Sequence, residues 1–524
     1  MHAQNQNTRT LETTCLGFLR EEHALLEAFE QFDLDALEKI LRQETDCFGI
    51  IAQTPTHVFA ATDRVRGYPL FYAPKSGDVS FDARILCEGF GPDELNNQDT
   101  LLQFCMAGYV IGPQTLHKDV QTLQAGEYLI IDKTTRAITL KRYYGYAPCP
   151  VQEIDYEDAM RGLGHALDLA IQRTIERAQG REIWVPLSGG LDSRIILAKL
   201  HEHGAPNLKT FSYGLKGNDE AKIAKTIAEA LGVPWFMMAA QPQHARALYK
   251  SEVRRAYEDF VHGFSVIPSY VEFEAIYRLK ESSLAAPGSF IVNGQTGDYL
   301  SGGHVPKILY ESENPTREDM LGYIIEKHFS IWASLKTPDH IERIKNNITA
   351  LLIEAPQSLS DKEKLISQYE AFEWAERQAK MVVQGHAVYD YFGFQWTLPL
   401  WDRNLMNFFE TLPYALKYKQ KLYVDYTRRY NYKGVFDLPR AKVNTFRAPY
   451  RYGLFAIGKF LELTKGRAAK DDFYKKMRYF GHFHDQFALF AKETYDAHYK
   501  DMRNIISLSI LDYLETRGIE FPKP

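Results

Sequence analysis

Cysteine is scarce in this 524-residue chain: five residues, at 15, 47, 87, 105 and 149, widely spaced and odd in number. Such a pattern excludes a disulfide framework and points to a reduced, cytoplasmic setting. No apolar run approaches the roughly 18 residues of a membrane-crossing helix. The opening Met1-His2-Ala3-Gln4-Asn5-Gln6 lacks the basic-then-apolar order of a secretory leader. An excess of positive charge is missing too. With 62 basic against 67 acidic residues and a net charge of −5, a nucleic-acid partner gains no support. The common P-loop is also absent. Gly453 to Lys459 has its spacing, but Phe460 stands where a magnesium-binding hydroxyl is needed and no strand precedes it.

What the chain has is a short apolar run that breaks into small residues. Arg181–Leu187 reads as a buried strand, and Arg194–Leu200 as the helix that packs back on the sheet. Between them lie Ser188, Gly189, Gly190, Leu191, Asp192 and Ser193. Glycines admit close approach of backbone to a ligand, and amides at a helix N-terminus favour an anion such as phosphate. The serines add hydroxyl donors, and Asp192 adds a hard oxygen suited to Mg²⁺. A site that grips the pyrophosphate of ATP needs these parts.

The surroundings extend the pattern. Leu208–Gly214 and Trp235–Ala239 read as strands, with a helix over Asp219–Leu231 that stops at Gly232. Strands alternating with helices at this spacing predict a doubly wound, mostly parallel sheet. Ligands bind at the carboxyl ends of such strands, where the serine–glycine loop falls. A further strand, Phe290–Asn293, runs into a second glycine-rich loop, Gly294-Gln295-Thr296-Gly297-Asp298. Two carboxylates from separate strand ends, Asp192 and Asp298, suit a magnesium ion bridging to phosphates. Residues 14–146 read as short strands with a few helices, 148–158 as a linker, and 315–524 as largely helical and rich in aromatics. Asp402 reads equally as a helix N-cap or as a ligand-contacting residue.

Ser188–Ser193 resembles the signature of the ATP-pyrophosphatase proteins, and in detail that of asparagine synthetase. The second loop resembles that family's Gly-Glu-Gly-x-Asp-Glu signature. Ala61-Thr62-Asp63-Arg64 with Gly67–Tyr72, and Gly108–Leu116 with Ala125–Leu129, resemble its N-terminal glutaminase domain. Arg440-Ala441-Lys442 resembles its Arg-x-Lys turn. The resemblance implies an α/β protein in two parts. Residues 1–150 would form an Ntn-hydrolase-like αββα glutaminase domain. Residues 151–524 would form an ATP-pyrophosphatase domain with a helical C-terminal extension. It further implies ATP and Mg²⁺ as cofactors, with Leu187–Ser193, Ser212, Tyr213, Asn293 and Gly294 around the nucleotide. Asp192 and Asp298 would hold the metal, and Lys442, Arg440 and Gln295 would serve the chemistry. A carboxylate would attack the α-phosphate to give an acyl-adenylate and pyrophosphate, and ammonia or an amine would then form an amide.

Three departures qualify that expectation. The family's glutaminase uses an N-terminal cysteine; here residue 2 is His and the first cysteine is Cys15. Cys15 is therefore expected to be a buried strand residue and the domain chemically silent. Gln295 replaces the family's Glu linked to amine acceptance, and Tyr299 replaces the Glu after the metal ligand. The adenylating half is retained and the acceptor half altered. The nitrogen would come from free ammonia, a partner glutaminase or an amine substrate, and a homodimer is compatible with the resemblance. Asparagine is the family's default product. Ser-Gly-Gly-Leu-Asp-Ser-Arg with Gln395–Asp402 resembles members associated with bacterial surface-polysaccharide synthesis. An intramolecular cyclase of the β-lactam synthetase type and a non-catalytic ATP-binding subunit remain the alternatives.

Overall fold

The computed structural model describes residues 11–151, 153–261, 263–440, 448–480 and 489–523. Lys442 lies outside the described residues. The N-terminal part is built on strands β1 (Glu12–Gly17), β2 (Phe48–Gln53), β3 (His57–Thr62), β4 (Phe71–Ala73), β5 (Asp78–Ser80), β6 (Gln121–Thr122), β7 (Glu127–Asp132) and β8 (Ile138–Arg142). They form two antiparallel sheets, β1-β2-β3-β7-β8 and β5-β4-β6.

Alternation along the strands decides what each face covers. Phe59 and Ala61 of β3, with Tyr128 and Ile130 of β7, join Leu25, Phe29, Leu37 and Leu41 of helices Glu22–Glu30 and Leu34–Gln43. The alternate residues Val58, Ala60, Leu129 and Ile131 pack with Leu70 and Tyr72 at the second sheet. Phe71 points the other way, into a core with Leu101, Phe104 and Cys105 of helix Gln98–Ala107. The layers therefore stack helix, sheet, sheet, helix.

The second part holds β9 (Ile183–Pro186), β10 (Leu208–Leu215), β11 (Trp235–Ala240), β12 (Phe290–Val292) and β13 (Gln395–Thr397). All pair in parallel, in the order β11-β10-β9-β12-β13. The chain moves outward from β9 to β11, then returns to the other side of β9. With right-handed crossovers this reversal puts connecting helices on opposite faces and opens a crevice between β9 and β12. Trp184, Val185, Phe211, Ile291 and Val292 are all buried, as a sheet covered on both faces requires. β13 is the one strand among the described residues of the largely helical stretch beyond 315. Three residues among aromatics carry no period of their own, and pairing with β12 alone makes them a strand.

One expectation changes. Cys15 is on a strand, paired across from Ile50 in β2, but it is half-buried. The P-loop-like stretch 453–460 lies inside helix Ala448–Lys465. Asp402 caps helix Arg403–Thr411, accepting from the Asn404 amide at 2.8 Å, and also pairs with Arg173 at 2.6 Å.

One continuous core runs through both parts, with Phe59 and Ile130 in the same cluster as Trp184 and Ile291. The 61–67 phrase is spent on this junction. The Asp63 carboxylate accepts from the amides of Phe48, Val65 and Gly67 at 3.0, 2.7 and 2.8 Å. Arg64 reaches Asn407 at 2.9 Å, and fully buried Arg66 reaches Gln384 at 3.0 Å. These contacts fix how the layered N-terminal part sits against the parallel sheet.

Candidate functional site

The loops after β9 and β12 meet at the crevice. A Cβ on Gly294 would lie 2.7 Å from the Ser193 nitrogen, and one on Gly297 would lie 2.5 Å from Asp192 Oδ1. Only glycine allows the two loops to pack this closely. The Asp298 amide donates to Asp192 Oδ2 at 3.1 Å, so the two aspartates become neighbours across 106 residues of chain. Asp192 Oδ1 also accepts from the Tyr423 hydroxyl at 3.0 Å.

Charge around the pair is arranged unequally. Burial, and next the negative charge of Asp298, push the Asp192 carboxyl up to about 7. Burial would raise Asp298 as well, but the hydrogen bond and charge of His304 outweigh it and hold that carboxyl down at about 2. His304 bridges Asp298 Oδ2 at 3.2 Å and Glu373 Oε1 at 2.6 Å. Burial would lower its imidazole, yet Glu373 and Asp298 lift it to about 9. Lys327 completes the chain, 2.9 Å from Glu373. The result is a pair of carboxylates in want of positive charge, one of them kept ionised by an imidazolium.

The first loop is braced from within. Ser188 and Ser193 hydroxyls lie 3.0 Å apart, the Ser188 amide donates to Ser193 Oγ at 3.0 Å, and the Gly190 amide donates to Ser188 Oγ at 3.1 Å. Ser212 donates to the Leu187 carbonyl at 2.6 Å and accepts from Trp235 at 2.9 Å, tying the end of β10 to the start of the loop. Arg194, fully buried, spreads its guanidinium over the carbonyls of Gly189, Val435, Leu438 and Pro439 at 2.9 to 3.1 Å. It therefore fastens the segment leading to Arg440 onto the loop. The positive charge of Arg440 is felt by both Arg194 and Tyr423, which puts it beside the same corner.

Leu187, Ser188, Asp192, Ser193, Ser212, Tyr213, Asn293, Gly294 and Gln295 all line one cavity of about 1360 Å³. This exceeds the roughly 300–1,000 Å³ of common small-molecule sites. Gly189, Gly190, Leu191 and Asp298 belong to the same two loops but are not among the residues that line it. Tyr423, His304 and Glu373 were not foreseen from the sequence. Tyr423 lies 231 residues from Asp192 with no motif around it, whereas His304 follows the second glycine loop and could have been sought there by position. One other cluster of metal-capable side chains stands out among the described residues: Asp168, Glu202 and His203. Lys199 fills it, with its ammonium 2.8 Å from Asp168 and 2.9 Å from Glu202.

Fold and site define a doubly wound α/β protein with paired aspartates at its topological switch point. The chain belongs to the asparagine synthase family: residues 163–436, just over half of it, match that family's model. It is 23% identical over 325 residues to a Methanocaldococcus jannaschii protein named "putative asparagine synthetase 2" of the glutamine-hydrolyzing type, covering 55% of this chain and 59% of that one. A similarly named Mycobacterium bovis protein is 25% identical over 220 residues, 40% of this chain and 33% of its own. The chain thus spans 59% and 33% of the length of these relatives. Among solved structures, the Bacillus subtilis glutamine phosphoribosylpyrophosphate amidotransferase aligns over 69% of this chain and 76% of its own at 13% identity, with a TM-score of 0.17. An allosteric regulatory enzyme of purine biosynthesis aligns over 44% and 61% at 14% identity, with a TM-score of 0.16. Scores this low add nothing to the fold described above.

Proposed function

We propose that the protein is an ATP-dependent amide ligase that forms AMP and pyrophosphate, activating a carboxylate as its acyl-adenylate and passing nitrogen to it. The observation that carries this reading is the direct pairing of Asp192 and Asp298 across two glycine loops at the crevice of the sheet. The donor set fits Mg²⁺: two hard carboxylate ligands, one of them raised by burial and next by the charge of the other. Bound there, Mg²⁺ would neutralise charge on the departing pyrophosphate. Around it, the loop amides of Ser188–Ser193 would hold phosphate oxygens. Tyr423 would orient Asp192, and His304 would keep Asp298 ionised. Arg440, and Lys442 by resemblance, would meet charge as it builds on the phosphates in the transition state.

Residues 1–150 serve in this reading as a glutaminase-like, Ntn-type layer that has lost its nucleophile, and 151–524 as the adenylating part. The layered N-terminal sheets are consistent with that ancestry. Burial, then the charges of Glu22 and Glu44, push the Cys15 thiol up to about 12, the opposite of an activated nucleophile. Nitrogen would come from ammonia, an amine or a separate glutaminase.

The decisive experiment is a Mg²⁺-dependent pyrophosphate-release screen over amino acids and nucleotide-sugar uronates, repeated with Asp192→Asn and Asp298→Asn. Each variant is expected to lose about 100-fold or more of the release while staying folded. Release that is unchanged in both variants ends the ligase reading.

A further inference from the structure

A ligase of this type must receive a nitrogen nucleophile, and Gln295 in the second loop, where the resemblance implies a glutamate, is an amide with no basicity to offer. The Gln295 side chain makes no hydrogen bond among the described residues and stands in the cavity wall. Its backbone amide donates to Asn293 Oδ1 at 3.0 Å. The other end of Asn293 leads to a carboxylate. Asn293 Nδ2 lies 3.4 Å from Glu272 Oε1 and 2.8 Å from the Tyr389 hydroxyl. Tyr389 in turn donates to Glu272 Oε2, and Tyr213 donates to Oε1 at 3.1 Å.

Glu272 thus lines the same cavity as Gln295, Asn293 and the first loop, reached from the helix-start before Phe273–Glu281. All three of its partners are neutral donors. Among the described residues no lysine, arginine or histidine pairs with it, whereas the neighbouring Glu274 is matched by Arg278 at 2.9 Å. A carboxylate set in a largely buried wall without a counter-charge is costly unless a ligand brings one. Two tyrosines and an asparagine fix its orientation, which is how a group that must meet a ligand at a defined place is held.

We propose that Glu272 is the amine-binding site of this protein, taking the nitrogen donor as a protonated ammonium or primary amine and serving as the base that Gln295 cannot be. This rests on the ligase reading above and adds to it the place and charge of the second substrate. In the step it supports, bound ammonium gives one proton to Glu272. The freed ammonia forms the C–N bond to the acyl carbon. The C–O bond to the phosphate breaks with its electron pair leaving on AMP, and the surplus proton on nitrogen passes to the AMP phosphate. The Gln295 side-chain oxygen accepts one N–H of the nucleophile meanwhile.

Two experiments test it. Crystals of the full chain soaked in thallium(I) acetate, a monovalent surrogate for ammonium with strong anomalous scattering, are expected to show a peak in contact with Glu272. The peak should be lost in Glu272→Gln and kept in Tyr389→Phe. No peak at Glu272 in the unaltered protein, or a peak that survives Glu272→Gln, overturns the assignment. That arm needs no knowledge of the carboxylate and stands or falls apart from the ligase reading. In the second arm, with a carboxylate found by the pyrophosphate screen, pyrophosphate release by Glu272→Gln is the reference against which its later products are read. Its ammonia-dependent amide product should fall about 100-fold or more, the contribution of a positioned base. Hydroxylamine, already largely unprotonated at neutral pH, should still be converted to hydroxamate. Equal loss of pyrophosphate, amide and hydroxamate would mark Glu272 as structural and refute the proposal.

Discussion

Removing the Arg194 guanidinium is expected to loosen the site without touching a ligand. Its Nη atoms serve four carbonyls, one in the glycine loop and three in the segment 435–439, at 2.9 to 3.1 Å. Hydrogen bonds from a charged donor contribute about 1.5–3 kcal/mol each. They do not sum here, because burying the guanidinium costs several kcal/mol that the variant no longer bears. Burial, and then the positive charge of Arg440, already lower its affinity for the proton to about 10, so that cost is visible, yet the group stays charged at neutral pH. Arg194→Met should therefore lose about 2–4 kcal/mol, set mainly by the carbonyls left without donors. The loss should be local: faster proteolysis near 435–440, a fall of a few degrees in Tm, and slower pyrophosphate release. Arg194→Lys has the charge but only three donors on one atom, and should recover part of the stability. Thermal unfolding, limited proteolysis and pyrophosphate release measured on both variants decide it. An Arg194→Met protein with unaltered Tm, proteolysis and release would refute the idea that this side chain joins loop and segment.

Other outcomes follow from the same geometry. Lys417→Met should destabilise the chain by about 3–5 kcal/mol, because it strands Glu370, which is 2.7 Å away in a pair with side chains 0% and 1% exposed. Chemical denaturation reads this directly, and a change under about 1 kcal/mol would contradict it. Gly294→Ala should abolish Mg²⁺-dependent pyrophosphate release, since its Cβ would press on the Asp192–Ser193 backbone at 2.7 to 2.9 Å and force the loops apart; retained release would show that the loops can give. Glutamine incubated with the protein should yield no glutamate, and Cys15→Ala should change nothing, because the thiol is held up near 12 on a paired strand. Glutamate release that vanishes in Cys15→Ala would reverse that conclusion.

The sequence by itself determined the parts whose physics is local. The strand–glycine-loop–helix at 183–202, the second glycine loop after β12 and the β-α alternation between them could be read from period and small-residue clusters. Such features depend on neighbours a few residues apart. That is why Asp192 and Asp298 could be singled out as candidates before any fold was known, and why the resemblance to the family's two signatures stood out. Tertiary structure decided what depends on distance across the chain. β13 is a strand only because β12 offers it an edge, and Tyr423 reaches Asp192 only because helix Lys421–Tyr430 packs beside the loop. Arg194 looked like one residue of a helix pattern, and only the return of the chain at 435–439 gives its guanidinium four partners. Glu272 carried no signal at all. Its meaning lies in which charges are absent around it, and a linear sequence records neighbours along the chain but not the missing counter-charge in a folded cavity wall.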